Sequence, residues 1–328
     1  MSNQRLAVIG GSQFADQALT ETNDIEQWAR EADLEWEVKS SPLMFDVGLV
    51  DTDGKPLYKE DKKRQVLYRS DNHCRLGVVS NDFKVVQPSQ ILGFYGKISQ
   101  KLNINLEAAG WVNNGSMIWG LANLGDVIRI KGQDSIMNYL MFSTANDGSR
   151  ATVINFISRR LVCNNMLNFA FSEERKSPFS VRIPHMTKLT EAKEDSIIEE
   201  IVANSGTHWR NFENTANQMS DQGMTVEESI AFFTEILSVR GRDGVTRLPK
   251  QKESSVLKLV DVMQNGQGQD TRSAKGTLWG ALNAVTRMVD HEVNYRNSRN
   301  AIATSQFGVG NALKNKAFKV ANDHLKVA

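Results

Sequence analysis

Arg159-Arg160-Leu161-Val162-Cys163-Asn164-Asn165-Met166-Leu167-Asn168-Phe169-Ala170 is the stretch on which the fold turns. It follows an apolar extended run at 151–158, sets two arginines side by side, then places three asparagines at the edge of an apolar segment. Asparagine is a mediocre helix former because its amide competes for backbone hydrogen bonds. Its density here predicts caps, buried polar contacts or a surface for a polar ligand. The apolar spacing predicts a helix that starts near Arg160 and ends before Pro178. On this reading the stretch is a strand-to-helix junction that closes a sheet.

Upstream the hydrophobic period is two. Residues 136–144 and 151–158 form a predicted hairpin around Asn146-Asp147-Gly148, preceded by strands at 106–112, 116–122 and 127–131 with a turn at Asn113-Asn114-Gly115. Pro88 opens an amphipathic helix carrying Ile91, Leu92, Tyr95, Ile98 and Leu102. Further strands are predicted at 65–69, 76–79 and 83–86. Asp51-Thr52-Asp53-Gly54-Lys55 supplies turn chemistry for a hairpin after 47–50. Before that, Asp24 caps a short helix with Ile25, Trp28 and Ala29.

After Pro184 the chain reads as helical. Thr225-Val226-Glu227-Glu228 is a capping box, followed by Val226, Ile230, Phe233 and Leu237 at helical spacing. A basic loop at 241–249, a helix at 253–263, a polar connector at 265–269, a helix striped by Leu278, Leu282, Val285 and Val289, and a helix at 311–325 complete the chain. The predicted class is α+β: an antiparallel β-meander flanked by helices, followed by a mostly helical C-terminal region. Three segments follow from it, an acidic arm at 1–48, a core at 49–183 that is the candidate nucleic-acid-binding unit, and a helical region at 184–328.

The 328 residues are 40% hydrophobic and 23% charged, values of a chain able to bury a core. The net charge of +1 hides blocks: −6 over 1–48, +7 over 49–188, −7 over 189–240 and +7 over 241–328. Two basic blocks suit a polyanion, and two acidic ones suit pairing between subunits or neutralisation within one fold. Cys74 and Cys163 lie far apart and make no ligand spacing. No apolar run has signal-peptide or transmembrane length, so a soluble, cytoplasmic protein without a membrane partner is expected.

Two basic surfaces are candidates for binding. The first joins Arg150, Arg159 and Arg160 to Arg129 and Lys131 on a strand and to Lys97 and Lys101 on the Pro88 helix. Arginine forks and lysine point charges hold phosphates, and Asn164 and Asn165 could bond backbone or base edges. Trp111, Trp119, Tyr139 and Phe142 offer either stacking faces or core. The second surface collects Arg272, Lys275, Arg287, Arg296, Arg299 and Lys314, with Lys316 and Lys319 beside them. It suits a polyanion, a solvated face or an acidic neighbour.

Catalytic motifs fare worse. Around Lys275-Gly276-Thr277 the phosphate-loop spacing is broken, and Asp290-His291-Glu292 points three ways on a helix without a His/Cys cluster. A non-enzymatic protein without metal or cofactor is expected.

Several stretches carry a resemblance. Leu34-Glu35-Trp36-Glu37-Val38, Leu76-Gly77-Val78-Val79-Ser80, Asn146-Asp147-Gly148-Ser149, the segment from Arg160 to Leu167, Gly276-Thr277-Leu278-Trp279-Gly280-Ala281-Leu282-Asn283, and Phe307-Gly308-Val309-Gly310-Asn311-Ala312-Leu313-Lys314 resemble the phage/plasmid-like protein family. Leu161 and Met166 depart from it, standing where Val and Thr are expected. The resemblance implies a gene of mobile DNA. The order helix, antiparallel meander, helix is also similar, at the level of fold analogy, to single-strand annealing proteins of the RecT and Redβ superfamily. It implies a homo-oligomeric ring or filament that binds single-stranded DNA and anneals it in phage or plasmid recombination. An exonuclease or single-strand-binding protein of the element is then a further partner. The alternative is a protein-binding module that counters a host defence system.

Overall fold

The structure is a computed structural model that describes residues 14–22, 24–102, 104, 106–168 and 180–327. After a short 3-10 turn at Ala15–Gln17, helix α1 (Ile25–Glu31) begins at Asp24, whose carboxylate accepts from the Glu26 and Gln27 amides. Three antiparallel strands follow in spatial order: β1 (Val38–Val50), β2 (Pro56–Arg69) and β3 (Arg75–Ser80). Helix α2 (Pro88–Leu102) then leads into β4 (Leu106–Val112), β5 (Met117–Ile130), β6 (Asp134–Ala145), β7 (Thr152–Arg160) and β8 (Met166–Asn168), again neighbours in order. β9 (Ser180–Ile183) shares the outer edge of β7 with β8, pairing its first half while β8 pairs its second.

The period-two reading holds through this sheet. Residues 116–122 and 127–131, read as two strands, are one strand with a bulge, because the pairing with β6 slips between Asn123 and Val127. Asn123 Oδ1 accepts the Gly125 amide there at 2.8 Å, and Gly125 takes a positive φ of 80°. Asn113 and Asn114, both at positive φ, turn β4 into β5 as the sequence predicts. Residues 83–86 are not a strand; they form an irregular link into α2.

The opening stretch departs most from its reading. No helix starts at Arg160: β7 runs to that residue, 161–163 turn, and β8 returns antiparallel, with Arg159 opposite Met166. Asn164 makes the reversal possible with a φ of 56°, a left-handed conformation that asparagine tolerates better than most residues. The rest of the predicted helix, 169–177, lies outside the described residues.

Both faces of the six-stranded sheet are covered, and every residue of β7 is buried. One face packs on α2, α3 (Glu191–Asp221) and α6 (Leu278–His291), and α5 (Glu253–Asn265) packs on α6. The other, with Trp119, Leu121, Tyr139 and Ile157, is closed by Phe14 and by Ile302 of α7 (Ser298–Gln306). α4 (Val226–Leu237) starts at the Thr225 capping box, and α8 (Val309–Val327) ends the chain. The basic loop at 241–249 holds a two-stranded hairpin, β10 (Val239–Arg240) with β11 (Thr246–Arg247). A single apolar cluster contains Trp28 and Leu34, Ile98 and Leu140, and Phe233 and Ala321, so it draws on all three segments read from the sequence. Among the described residues no helix is long and apolar enough to cross a membrane.

Candidate nucleic-acid interface

Arg159 and Arg160 are the largest correction. Successive strand residues point to opposite faces, so each arginine enters the protein on its own side of β7. Both are 2% exposed. Arg160 Nε donates to both Asp134 oxygens at 2.9 and 2.7 Å, and its Nη2 donates to Gly268 O and Thr271 Oγ1 at 2.8 Å each. Asp134 accepts further bonds from Ser273 Oγ at 2.7 Å and Trp279 Nε1 at 3.1 Å. Arg159 Nη2 donates to Asn164 Oδ1 at 2.8 Å, and its Nη1 lies 3.5 Å from the Tyr139 hydroxyl. The Arg160 guanidinium clamps the sheet to the connector before α6, the Arg159 guanidinium braces the β7–β8 turn against β6, and neither presents a fork to a phosphate.

The asparagines have the same office. Asn165 is buried, and its Nδ2 donates to Asn283 O at 3.1 Å. Its neighbour Met166 donates its amide to Asp290 Oδ2, while Lys314 Nζ bridges Asp290 Oδ1 and Met166 O, all at 2.8 Å. Burial pushes the Lys314 ammonium below its ordinary pKa, and the Asp290 carboxylate opposes that shift. A cation fully enclosed in this way is bound to its carboxylate and cannot serve a surface.

Asn164→Ala is expected to cost about 1–2 kcal/mol in denaturant unfolding, because alanine tolerates the left-handed region less well than asparagine and the change removes the Arg159 bond. Asn164→Gly should cost less, since glycine accepts that backbone.

The remaining predicted residues divide. Lys97 is taken up by α3, with Glu194 at 2.9 Å, Glu191 at 3.5 Å and Asp195 at 3.7 Å, and the Glu194 bond holds its pKa up. Lys131 pairs with Asp221. Arg287 lies 3.5 Å from Glu292, and Arg299 lies 3.7 Å over the Trp111 ring and 3.6 Å from Asp33. Arg69 lies 4.9 Å from the same ring, so Trp111 is packed by two guanidiniums, while Trp119, Tyr139 and Phe142 are core. Lys101, Arg129, Arg272, Lys275 and Arg296 stay exposed, and Arg150 is half-buried.

Arg150 leads to a basic rim that the sequence reading did not assemble. The 146–149 turn lies against β3 so closely that a β-carbon at Gly77 would meet Asp147 Cα at 2.5 Å. That approach sets Arg150 beside Arg182; burial first, and then the Arg182 charge, lower its pKa, with Asp147 opposing. Lys84 is tied in through its amide, which donates to His185 O at 2.6 Å. On the other side of β3, Arg64 pairs with Ser80, and Asn81 bonds the carbonyls of Lys62 and Lys63. Lys62, Lys63, Arg64, Lys84 and Arg182 are all exposed. The acids on this rim are Asp82, Asp147 and Asp61, whose carboxylate accepts the Lys63 amide at 2.8 Å.

The missed signal lies in β2. Lys59-Glu60-Asp61-Lys62-Lys63-Arg64 is a run of six charges, and the part of a strand that carries such a run can bury neither face. The outer half of the β1–β2 hairpin accordingly stands in solvent on both faces.

His185 stacks on Phe83 with ring centroids 4.2 Å apart, and its Nδ1 lies 2.9 Å from Lys84 O. Burial lowers its pKa, as it does for His208 and His291. An imidazole with a depressed folded pKa resists a proton that the unfolded chain accepts, so stability falls as pH drops below the ordinary histidine range. Thermal unfolding from about pH 7 to about pH 5 should show that loss, and His185→Gln should flatten it.

Comparisons with known proteins bear on this frame. No curated protein and no solved structure matches the chain. A family model described as "Domain of unknown function (DUF932)" matches residues 75–307, from β3 to the end of α7. The chain belongs to the DUF932 family.

Proposed function

We propose that the protein binds single-stranded DNA along the rim formed by Lys62, Lys63, Arg64, Lys84, Arg150 and Arg182, and promotes strand annealing as an oligomer in phage or plasmid recombination. The observation that carries the reading is the exposed Lys62-Lys63-Arg64 run on β2, with Lys84 four residues beyond the Ser80 that pairs with Arg64 and the Arg150–Arg182 pair following the turn that packs on β3. Such a row tracks a phosphate backbone without reading bases. Annealing needs no reacting side chain: a surface that neutralises phosphates and leaves base edges free lowers the repulsion between complementary strands. The preference for a single strand rests on the similarity of the strand and helix order to single-strand annealing proteins.

The experiment is an annealing assay with two complementary labelled oligonucleotides at low salt. The protein should accelerate duplex formation, and the effect should fade as salt rises. Absence of acceleration with binding intact would remove annealing. Absence of binding would remove the whole reading and leave the protein-binding alternative, tested by recovery of a stable complex with a host protein.

A further inference from the structure

The tip of the β1–β2 hairpin does not share the chemistry of its base. Residues 43–61 hold five acids, Asp46, Asp51, Asp53, Glu60 and Asp61, against Lys55 and Lys59. A segment with that balance repels a polyanion. Yet it carries exposed apolar side chains: Leu49 is 62% exposed, Val50 66% and Tyr58 54%, with Met44, Phe45 and Leu57 beside them. β1 is the edge of its sheet, and β3 pairs only residues 64–68 of β2, so both edges of the outer hairpin are open. A lone two-stranded hairpin is marginal in water, and a patch of this size on an open edge marks a protein contact.

The same chain bears a surface of the opposite kind. Residues 239–252, the β10–β11 corner, hold Arg240, Arg242, Arg247, Lys250 and Lys252 against Asp243. Val239 is 56% exposed, Val245 52%, and Leu257 on the adjacent α5 67%. In the single chain tip and corner are both exposed, so neither covers the other.

We infer that the acidic, apolar tip of the β1–β2 hairpin docks on the basic, apolar β10–β11 corner of a second copy of this chain. Opposite charge with apolar residues on both sides is the complementarity that identifies the occupant. The outer eight residues of β1 reach about 25 Å, which lets the tip cross to a neighbour. Because the two surfaces differ, each protomer keeps one free tip and one free corner, and the contact repeats head to tail into a ring or a filament. The inference deepens the oligomeric part of the preceding reading, and the basic rim lies outside both contact surfaces.

Size-exclusion chromatography with light scattering on the full chain tests it. One variant carries Val50→Asp and Tyr58→Asp at the tip, the other Arg242→Glu and Arg247→Glu at the corner; all four positions are exposed, so folding is preserved. The wild type should run larger than a dimer in a salt-sensitive manner, and each variant should run as a monomer. An equimolar mixture of the two should give a dimer, since an intact tip meets an intact corner once. A monomeric wild type, a variant that assembles like the wild type, or a mixture that stays monomeric would overturn the inference. Assembly of the corner variant alone would show a tip-to-tip contact instead. The monomeric variants should still bind a short oligonucleotide; loss of DNA binding by a wild type that still assembles counts against the rim and not against this contact.

Discussion

Arg160→Ala is expected to lower folding stability by about 3–5 kcal/mol, the largest effect of any single substitution proposed for this chain. The pair it breaks is enclosed, with Arg160 2% and Asp134 0% exposed by side chain, so the surviving carboxylate cannot turn to water. Asp134 would keep Ser273 and Trp279 as donors, Thr271 would lose the guanidinium, and Gly268 O would keep the Thr271 hydroxyl alone. Because these partners lie on β6 and in the connector before α6, the sheet should loosen from the helical region before it melts. Chemical denaturation checks the magnitude, and hydrogen exchange at 266–277 checks the location. Arg160→Met, which keeps volume without charge, should also destabilise, since it strands Asp134. The double variant with Asp134→Leu should recover part of the loss, because removing both charges lifts the desolvation cost. A surface arginine devoted to phosphate would show none of this.

The second large effect concerns binding. Lys62→Ala/Lys63→Ala/Arg64→Ala removes three exposed cations from the base of the hairpin. A single strand releases roughly 0.7 counterion per neutralised phosphate, so the slope of log affinity against log salt should fall by about 2. Affinity for an oligonucleotide at low salt should fall by on the order of tenfold or more. The free energy of unfolding should stay within about 0.5 kcal/mol of wild type, since exposed substitutions away from packed features do little. The pairing of the two results is what discriminates: Arg160→Ala should harm the fold and the triple variant the binding. Strong loss of stability in the triple variant would mean that these side chains serve the β2–β3 sheet instead.

How far the sequence carried the reading differs by element. Alternation identified β4, β6 and β7, and the Asn-rich turns fixed their order, because a strand's period and its turn chemistry are local properties. The Thr225 box and the Pro88 start gave α4 and α2 for the same reason. The junction at Arg160–Leu167 defeated local reasoning: its apolar residues suit a helix, and only the partners Asp134, Asp290 and Asn283 explain why it turns back as a strand. Those contacts span more than a hundred residues for Asp290 and Asn283, so no window on the sequence contains them. Charge blocks gave two basic regions but not their use, since Lys314 and Arg160 count in them just as Lys62 does and yet are buried. The rim was legible only in part. Arg150 was named from its place on the hairpin, whereas the six-charge run of β2 was present in the sequence and its consequence, a half-strand with no buried face, was the signal available.

Lysine acetylation footprinting, with and without a saturating oligonucleotide, tests the rim most directly. Binding along the rim should protect Lys62, Lys63 and Lys84, with Lys275 and Lys101 modified as in the free protein. Protection confined to Lys275 and its neighbours, with Lys62, Lys63 and Lys84 unchanged, would contradict it.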